Sequence, residues 1–155
     1  MNLNGLDPTD ISILNLIQKD ARLTHKEIAW KTNKSLSAIQ VRVRKLMNLG
    51  IIKRFVTLLD RGLVNKGLAV FTTIKLSNYS QHALLEFQES ASAMEEVMEC
   101  YHVSGDRDFI LKVVIKDMDE YNVFILQKLS LVPHIAAVQS LFVIGESKYE
   151  TAFNL

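Results

Sequence analysis

The sequence predicts an α+β chain in two parts: a basic, helical first part and a second part ordered strand, helix, strand, strand, helix, strand. Three observations carry this. Helix-start signals recur before residue 50, and strand-like alternation sets in from residue 68. The charge divides at the same place. Residues 1–67 hold twelve Lys and Arg against five Asp and Glu, net +7, and residues 68–155 hold six against twelve, net −6. The average of +1 over 155 residues hides a basic module suited to phosphate and an acidic module with another task. A hydrophobic fraction of 48% allows one ordinary core or two small ones.

The first helix is predicted from LDPTDISILNLIQKDAR, where Asp7 is a good N-cap and Pro8 suits the first helical position. Its stripe of Ile11, Ile13, Leu14, Leu16 and Ile17 is wide enough to face a core. In LTHKEIAWKTN, Thr24 and Glu27 have the spacing of a capping box and start a short second helix. That helix ends near Asn33, a residue that tolerates the left-handed backbone of a tight turn, and Ser35 caps a third. Ala29 is small enough for the helices to approach closely, and Ile39 supplies an anchor in the third, so the pattern predicts a helix-turn-helix that is winged-helix-like overall. Trp30 is expected to be a packing residue.

On a helical wheel, Leu36, Ile39, Val43, Leu46 and Met47 share the buried face of the third helix. Ser37, Ala38, Val41, Arg44, Lys45 and Asn48 take the outward face, with Gln40 and Arg42 at its edges. In a major groove, Arg can fork onto guanine, Gln onto adenine, and Ala or Val can touch the thymine methyl. The expected base readers are Ser37, Ala38, Gln40, Val41 and Arg44. Arg42 and Lys45 are expected on phosphates, and Lys34, Ser35, Lys53 and Arg54 complete the candidate surface for double-stranded DNA. Gly50 ends the helix, and IIKRFVTLL is expected to form a strand leading away.

Residues 56–67 read as a linker between a DNA-binding domain, 1–55, and a second domain, 68–155. The second contains strand LAVFTTIKLS, helix SQHALLEFQESAS with Leu84, Phe87 and Ala91 inward, and strands VMECYHVSG and DFILKVVIKD joined through Ser104–Arg107. Helix MDEYNVFILQKLSLV buries Tyr121, Phe124, Ile125 and Leu129, and strand IAAVQSLFVIG closes the series. The order βαββαβ is the ferredoxin-like arrangement, a four-stranded antiparallel sheet with both helices on one face. The other face, carrying apolar residues, calls for a second copy of the chain, so a homodimer is expected. Cys100 is expected to be a buried strand residue.

Other functions are disfavoured. His25, His82, His102 and His134 are scattered without metal-ligand spacing and join Cys100 in no nucleophile motif, so no catalytic residue, metal or cofactor is expected. An RNA-recognition motif shares the βαββαβ order, but DFILKVVIKD lacks its third-strand aromatics. No apolar run approaches the roughly 20 residues that span a bilayer, and the start MNLNGLDPTD lacks signal-peptide order, so a cytoplasmic chain is expected.

The stretch LDPTDISILNLIQKDARLTHKEIAWKTNKSLSAIQVRVRKLMNLGIIKRF resembles the DNA-binding half of the Lrp/AsnC (feast/famine) transcriptional regulators, and VSGDRDFILKVVIKDMDEY resembles the Gly-Asp-x-Asp hairpin of their ligand-sensing half. The ending SLFVIGESKYETAFNL is similar to one subgroup of that family. The resemblance implies a regulator that dimerises through its second domain, assembles further into tetramers or octamers, and responds to a small molecule, usually a free amino acid. It also implies an effector loop at Ser104, Gly105, Asp106, Arg107 and Asp108, with Ser140 on the last strand. Loop N–H groups can hold a carboxylate and acidic groups an ammonium. The chain departs from the family pattern at Arg107, commonly an aromatic, and at His134, commonly glycine. The alternative is a constitutive or architectural DNA-binding protein of the same fold without an effector.

Overall fold

The structure, a computed structural model, describes residues 5–155. They form two compact units: residues up to 58 together with 148–155, and residues 59–147. The first unit is built on α1 (Pro8–Ile17), α2 (His25–Thr32) and α3 (Leu36–Asn48). Each starts where its cap stands. Asp7 accepts from the N–H groups of Thr9 and Asp10, Thr24 and Glu27 form a reciprocal capping box, and Ser35 accepts from Ala38. Asn33 (φ 52°) and Gly50 (φ 71°) take left-handed conformations just beyond α2 and α3. Each is followed by a residue whose N–H bonds five residues back: Lys34 to Ala29, and Ile51 to Leu46. Ile13, Leu14, Ile17, Ile28, Ala29, Ile39, Val43 and Leu46 fill the core between the helices.

Four expectations fail here. Trp30 is 78% exposed, because Ile28 and Ala29 take the inward positions of α2 and the next residue turns about 100° away. Leu36 and Met47 are each 46% exposed, since they lie in the first and last turns of α3, and the core takes the line Ile39, Val43, Leu46 instead. Residues 53–60 form no strand, for a strand needs a neighbour to accept its backbone groups. Residues 148–155 pack with the first unit, not with the domain to which their place in the sequence assigned them. There the side-chain amide of Gln18 donates to the Phe153 carbonyl and accepts from the Phe153 N–H.

The second unit holds β1 (Leu68–Leu76), α4 (Gln81–Ser92), β2 (Val97–His102), β3 (Phe109–Ile115), α5 (Met118–Gln127) and β4 (Ile135–Phe142). The strands lie in the order β2-β3-β1-β4, all antiparallel. Alternation along the strands sends Val70, Ile74, Phe109, Leu111 and Val113 toward α4 and α5, where they meet Phe87, Tyr121 and Phe124. Lys128 (φ −123°) ends α5, and Leu129 is buried from a short 3-10 turn. Cys100 is half-buried on β2 against this core, and burial pushes its thiol pKa up. Among the described residues of this unit, no helix packs on the opposite sheet face. Phe71, Tyr101 and Leu141 remain 38%, 51% and 49% exposed there, beside the ion pair of Lys112 and Glu99 at 2.9 Å.

Candidate nucleic-acid interface and effector loop

The outward face of α3 is exposed along its length. Ser37, Gln40, Val41, Arg44 and Lys45 are exposed and Ala38 is half-buried. Ser35 and Ser37 hydroxyls lie 3.2 Å apart at the helix start. Gln40 and Arg44 make no side-chain hydrogen bond or ion pair among the described residues, and the same holds for Lys34, Lys53 and Arg54, all exposed. A basic face without internal partners keeps its donors available to an anionic duplex.

Arg42 behaves differently. Its Nη1 donates to Asp7 Oδ2 at 2.6 Å and to Asp10 Oδ1 at 2.7 Å, and Lys45 Nζ lies 3.4 Å from Asp10 Oδ2. Asp10 is fully buried. Such a carboxylate must be paired, so Arg42 is fixed as the clamp between the start of α1 and the middle of α3, not as a free phosphate contact. The Asp10 N–H and the Arg42 guanidinium hold the Asp7 carboxyl below its ordinary pKa. Sequence reading missed this clamp because Asp10 and Arg42 lie 32 residues apart. Lys45 remains half-exposed and faces outward beyond the pair.

In the second unit, Val103 N–H donates to the Asp108 carbonyl and closes the turn between β2 and β3, with Gly105 at φ 126°. Ser104, Asp106 and Arg107 line an open concavity with His102, Val103 and Ile110. Asp106 is exposed, and Arg107 Nη2 reaches Gln139 Oε1 at 3.3 Å. Gln139 pairs with Thr73, which pairs with Ile110, so this concavity opens on the helix-free face.

Three candidates do not line it: Gly105, at the turn itself, and Asp108 and Ser140. Asp108 is buried and turned inward: its Oδ2 accepts from Leu76 N–H at 2.7 Å where β1 shifts register against β4. Ser140 pairs with Thr72 and points to the helix side, where Tyr121 Oη lies 2.6 Å from the Ser140 hydroxyl and 2.9 Å from that of Thr72. Ser140 directly follows Gln139, and that single step changes the sheet face. His134, between the 3-10 turn and β4, adopts φ 67°, a conformation that suits the glycine expected there.

Among the described residues no helix is long and apolar enough to cross a membrane, and no group of three His, Cys, Asp or Glu is placed to hold a metal ion. A capped helix-turn-helix with an open basic face has the geometry of a DNA-binding module, here joined in one chain to a separate βαββαβ unit. The comparisons specify the family. Residues 6–53 match the winged helix-turn-helix DNA-binding family, and residues 69–153 match the Lrp/AsnC ligand binding domain. The chain is 36% identical to the glutamate uptake regulatory protein of Zymomonas mobilis over 99% of its length and 93% of that protein. It is 32% identical to the leucine-responsive regulatory protein of Klebsiella pneumoniae over 92% of its length and 87% of that one. A transcriptional regulator from Neisseria meningitidis, solved as its L-Met complex, superposes with a TM-score of 0.90 at 31% identity, covering 96% of each chain. The chain belongs to the Lrp/AsnC family of transcriptional regulators, which are not enzymes.

Proposed function

We propose that this regulator reads specific duplex sites through α3 and that a free amino acid, bound at the 104–107 loop, changes its assembly or its DNA affinity. The observation that carries the first part is the exposed outward face of α3, on which Gln40 and Arg44 have no side-chain partner among the described residues. Ser37, Ala38, Gln40, Val41 and Arg44 reach base edges, while Lys34, Ser35, Lys45, Lys53 and Arg54 meet phosphates. The names of the relatives support the second part, since a solved neighbour carries L-Met and another relative is called leucine-responsive. In this reading the loop N–H groups around Gly105 hold the effector carboxylate, Asp106 its ammonium, and Arg107 shapes the mouth, with Asp108 as the inward anchor of the loop.

The half-exposed apolar residues on the helix-free sheet face fit burial against a second copy, so the working unit is a homodimer that assembles further to a tetramer or octamer. A two-fold protein presents two recognition helices and therefore prefers near-palindromic sites. The protein acts in the cytoplasm and needs no cofactor. An effector can shift assembly only through different affinities for the two states.

Analytical ultracentrifugation with a panel of amino acids at millimolar concentration tests the sensing part. One or a few amino acids should shift the oligomer. No shift with any of them would favour a constitutive, architectural DNA-binding role. A gel-shift selection from random duplexes tests the reading part, with enrichment of near-palindromic sites as the expected result.

A further inference from the structure

The first unit contains a cavity walled by α1 and residues 51–56 on two sides, and the chain's own Thr151, Phe153 and Leu155 form the remaining wall. Asn15 on α1 and Gln18, its C-cap with helical backbone angles, stand three residues apart, a rise of about 4.5 Å. Gln18 makes both main-chain bonds of a single residue: Nε2 donates to Phe153 O at 2.7 Å, and Oε1 accepts from Phe153 N–H at 2.8 Å. Asn15 Nδ2 donates to Leu155 O at 3.4 Å, two residues further on, where an extended chain offers its next carbonyl on the same side. Gln18 Nε2 also lies 3.0 Å from Asn15 Oδ1, which fixes which way the amide points.

A glutamine amide carries donor and acceptor together, so it can stand in for one residue of a neighbouring strand, the pattern by which domains capture extended peptides. Leu14, Ile17, Ala21, Ile52 and Phe55 supply the apolar lining. A chain terminus without such ties is ordinarily poorly ordered. The grip is also shallow. Phe153 is 78% exposed and Leu155 40% exposed, so the segment can leave without unfolding the helices. At its other end α1 holds the recognition helix, through Asp7, Asp10 and Arg42.

We propose that the groove between α1 and residues 51–56 is a docking site that reads main chain, that its occupant is the chain's own C-terminal segment, residues 151–155, and that docking sets α1, and through Asp7 and Asp10 the placement of α3, for DNA. The segment continues directly from the second unit, which ends at Ser147, so it is a covalent route by which that unit can act on the DNA reader. The coupling part rests on the reading of α3 given above; the docking part does not.

Amide hydrogen exchange of the full-length protein tests docking without DNA. The Phe153 N–H should be protected and should exchange on the order of tenfold faster in Gln18→Ala. Gln18→Glu, which keeps the acceptor and loses the donor, should fall between them. Unprotected Phe153 in the parent chain would overturn docking and leave the α3 reading intact. A photoreactive phenylalanine analogue at residue 153 identifies the occupant, because Gln18 holds the main chain of that residue. A cross-link to α1 in a monomer-sized band is expected, and that link only in a dimer-sized band would mean that a second copy supplies the segment. For coupling, Gln18→Ala and deletion of residues 148–155 should each weaken specific duplex binding about 3- to 10-fold with helix content unchanged. Lost protection with unaltered DNA affinity would overturn the coupling. Failure of the parent chain to bind any duplex would overturn the α3 reading and the coupling with it, while the docking result would stand.

Discussion

The first unit closes its core with aliphatic side chains alone, Ile13, Ile28, Ile39 and Leu46 among the most buried, and places one fully buried carboxylate, Asp10, beside them. The second unit packs Phe87, Phe109, Tyr121 and Phe124 between sheet and helices. The hydroxyls of Thr72, Tyr121 and Ser140 satisfy one another there, and its two buried carboxylates tie element ends, Asp108 accepting from the Leu76 N–H and Glu96 pairing with Lys128. The contrast shows two ways of fixing geometry. Three short helices offer little apolar area, and nonpolar packing alone leaves their crossing angles loosely defined; a charged clamp between α1 and α3 sets one of them. A four-stranded sheet is already set by its backbone ladder, so its buried carboxylates fix a loop and a helix end, not the packing of the layers.

The largest effect expected from breaking this contrast is Phe109→Ala. It removes a ring in contact with Phe87 and should cost about 4 kcal/mol, seen by thermal unfolding as loss of the second unit's transition. Asp10→Ala should come next, at about 3 kcal/mol, because it leaves Arg42 without its buried partner. If Asp10→Ala were neutral, the clamp would contribute nothing to the fold. The third test separates two neighbouring arginines. Arg44→Ala should cost about 1 to 3 kcal/mol at one base position, and Lys45→Ala should weaken all sequences alike, in binding assays on a set of single-base variants. Arg42→Ala should instead lower thermal stability and weaken every sequence.

His134→Gly should raise stability by about 0.5 kcal/mol, since a left-handed backbone is strained for any residue with a Cβ while glycine adopts it freely. Last comes pH. The lowered pKa of Asp7 adds stability that is fully present above its ordinary value of 3.8 and lost as pH falls through the folded value. Glu27 and Glu150, in the same unit, are lowered from 4.5 in the same sense, so acid titration of the first unit's unfolding midpoint should show a slope that begins below about pH 4.5, and Asp7→Asn should reduce the part below about pH 3.8.

Much of this architecture was legible in the residues. Asp7, Thr24, Ser35, Asn33 and Gly50 are local devices, acting within one or two turns, and each holds the position that its chemistry requires. The outward face of α3 was legible too, because helical periodicity alone separates Ile39, Val43 and Leu46 from Gln40, Val41 and Arg44. Its edges were not. Arg42 sits at the border of the face, and whether it meets solvent or Asp10 depends on a helix 32 residues away. Trp30 misled for a related reason: size and hydrophobicity argue for burial, but a small three-helix core had room for Ile28 and Ala29 only. In the loop, the resemblance grouped Ser140 with Arg107, and sheet alternation places them on opposite faces.

By itself, then, the sequence determined the two-part plan, the helix starts, the strand order in the chain and the basic character of α3, since capping, periodicity and charge are properties of neighbours along the chain; it ran α5 on through Val132, where the structure ends it at Gln127. Only the tertiary structure decided that Arg42 clamps α1 instead of facing outward, that Asp108 and Ser140 turn away from the loop's concavity, and that the C-terminal residues lie on α1 under Gln18. Each of those outcomes is a contact between residues more than 15 positions apart. No local periodicity encodes such a pairing, because it exists only once backbone closure has brought donor and acceptor within bonding distance.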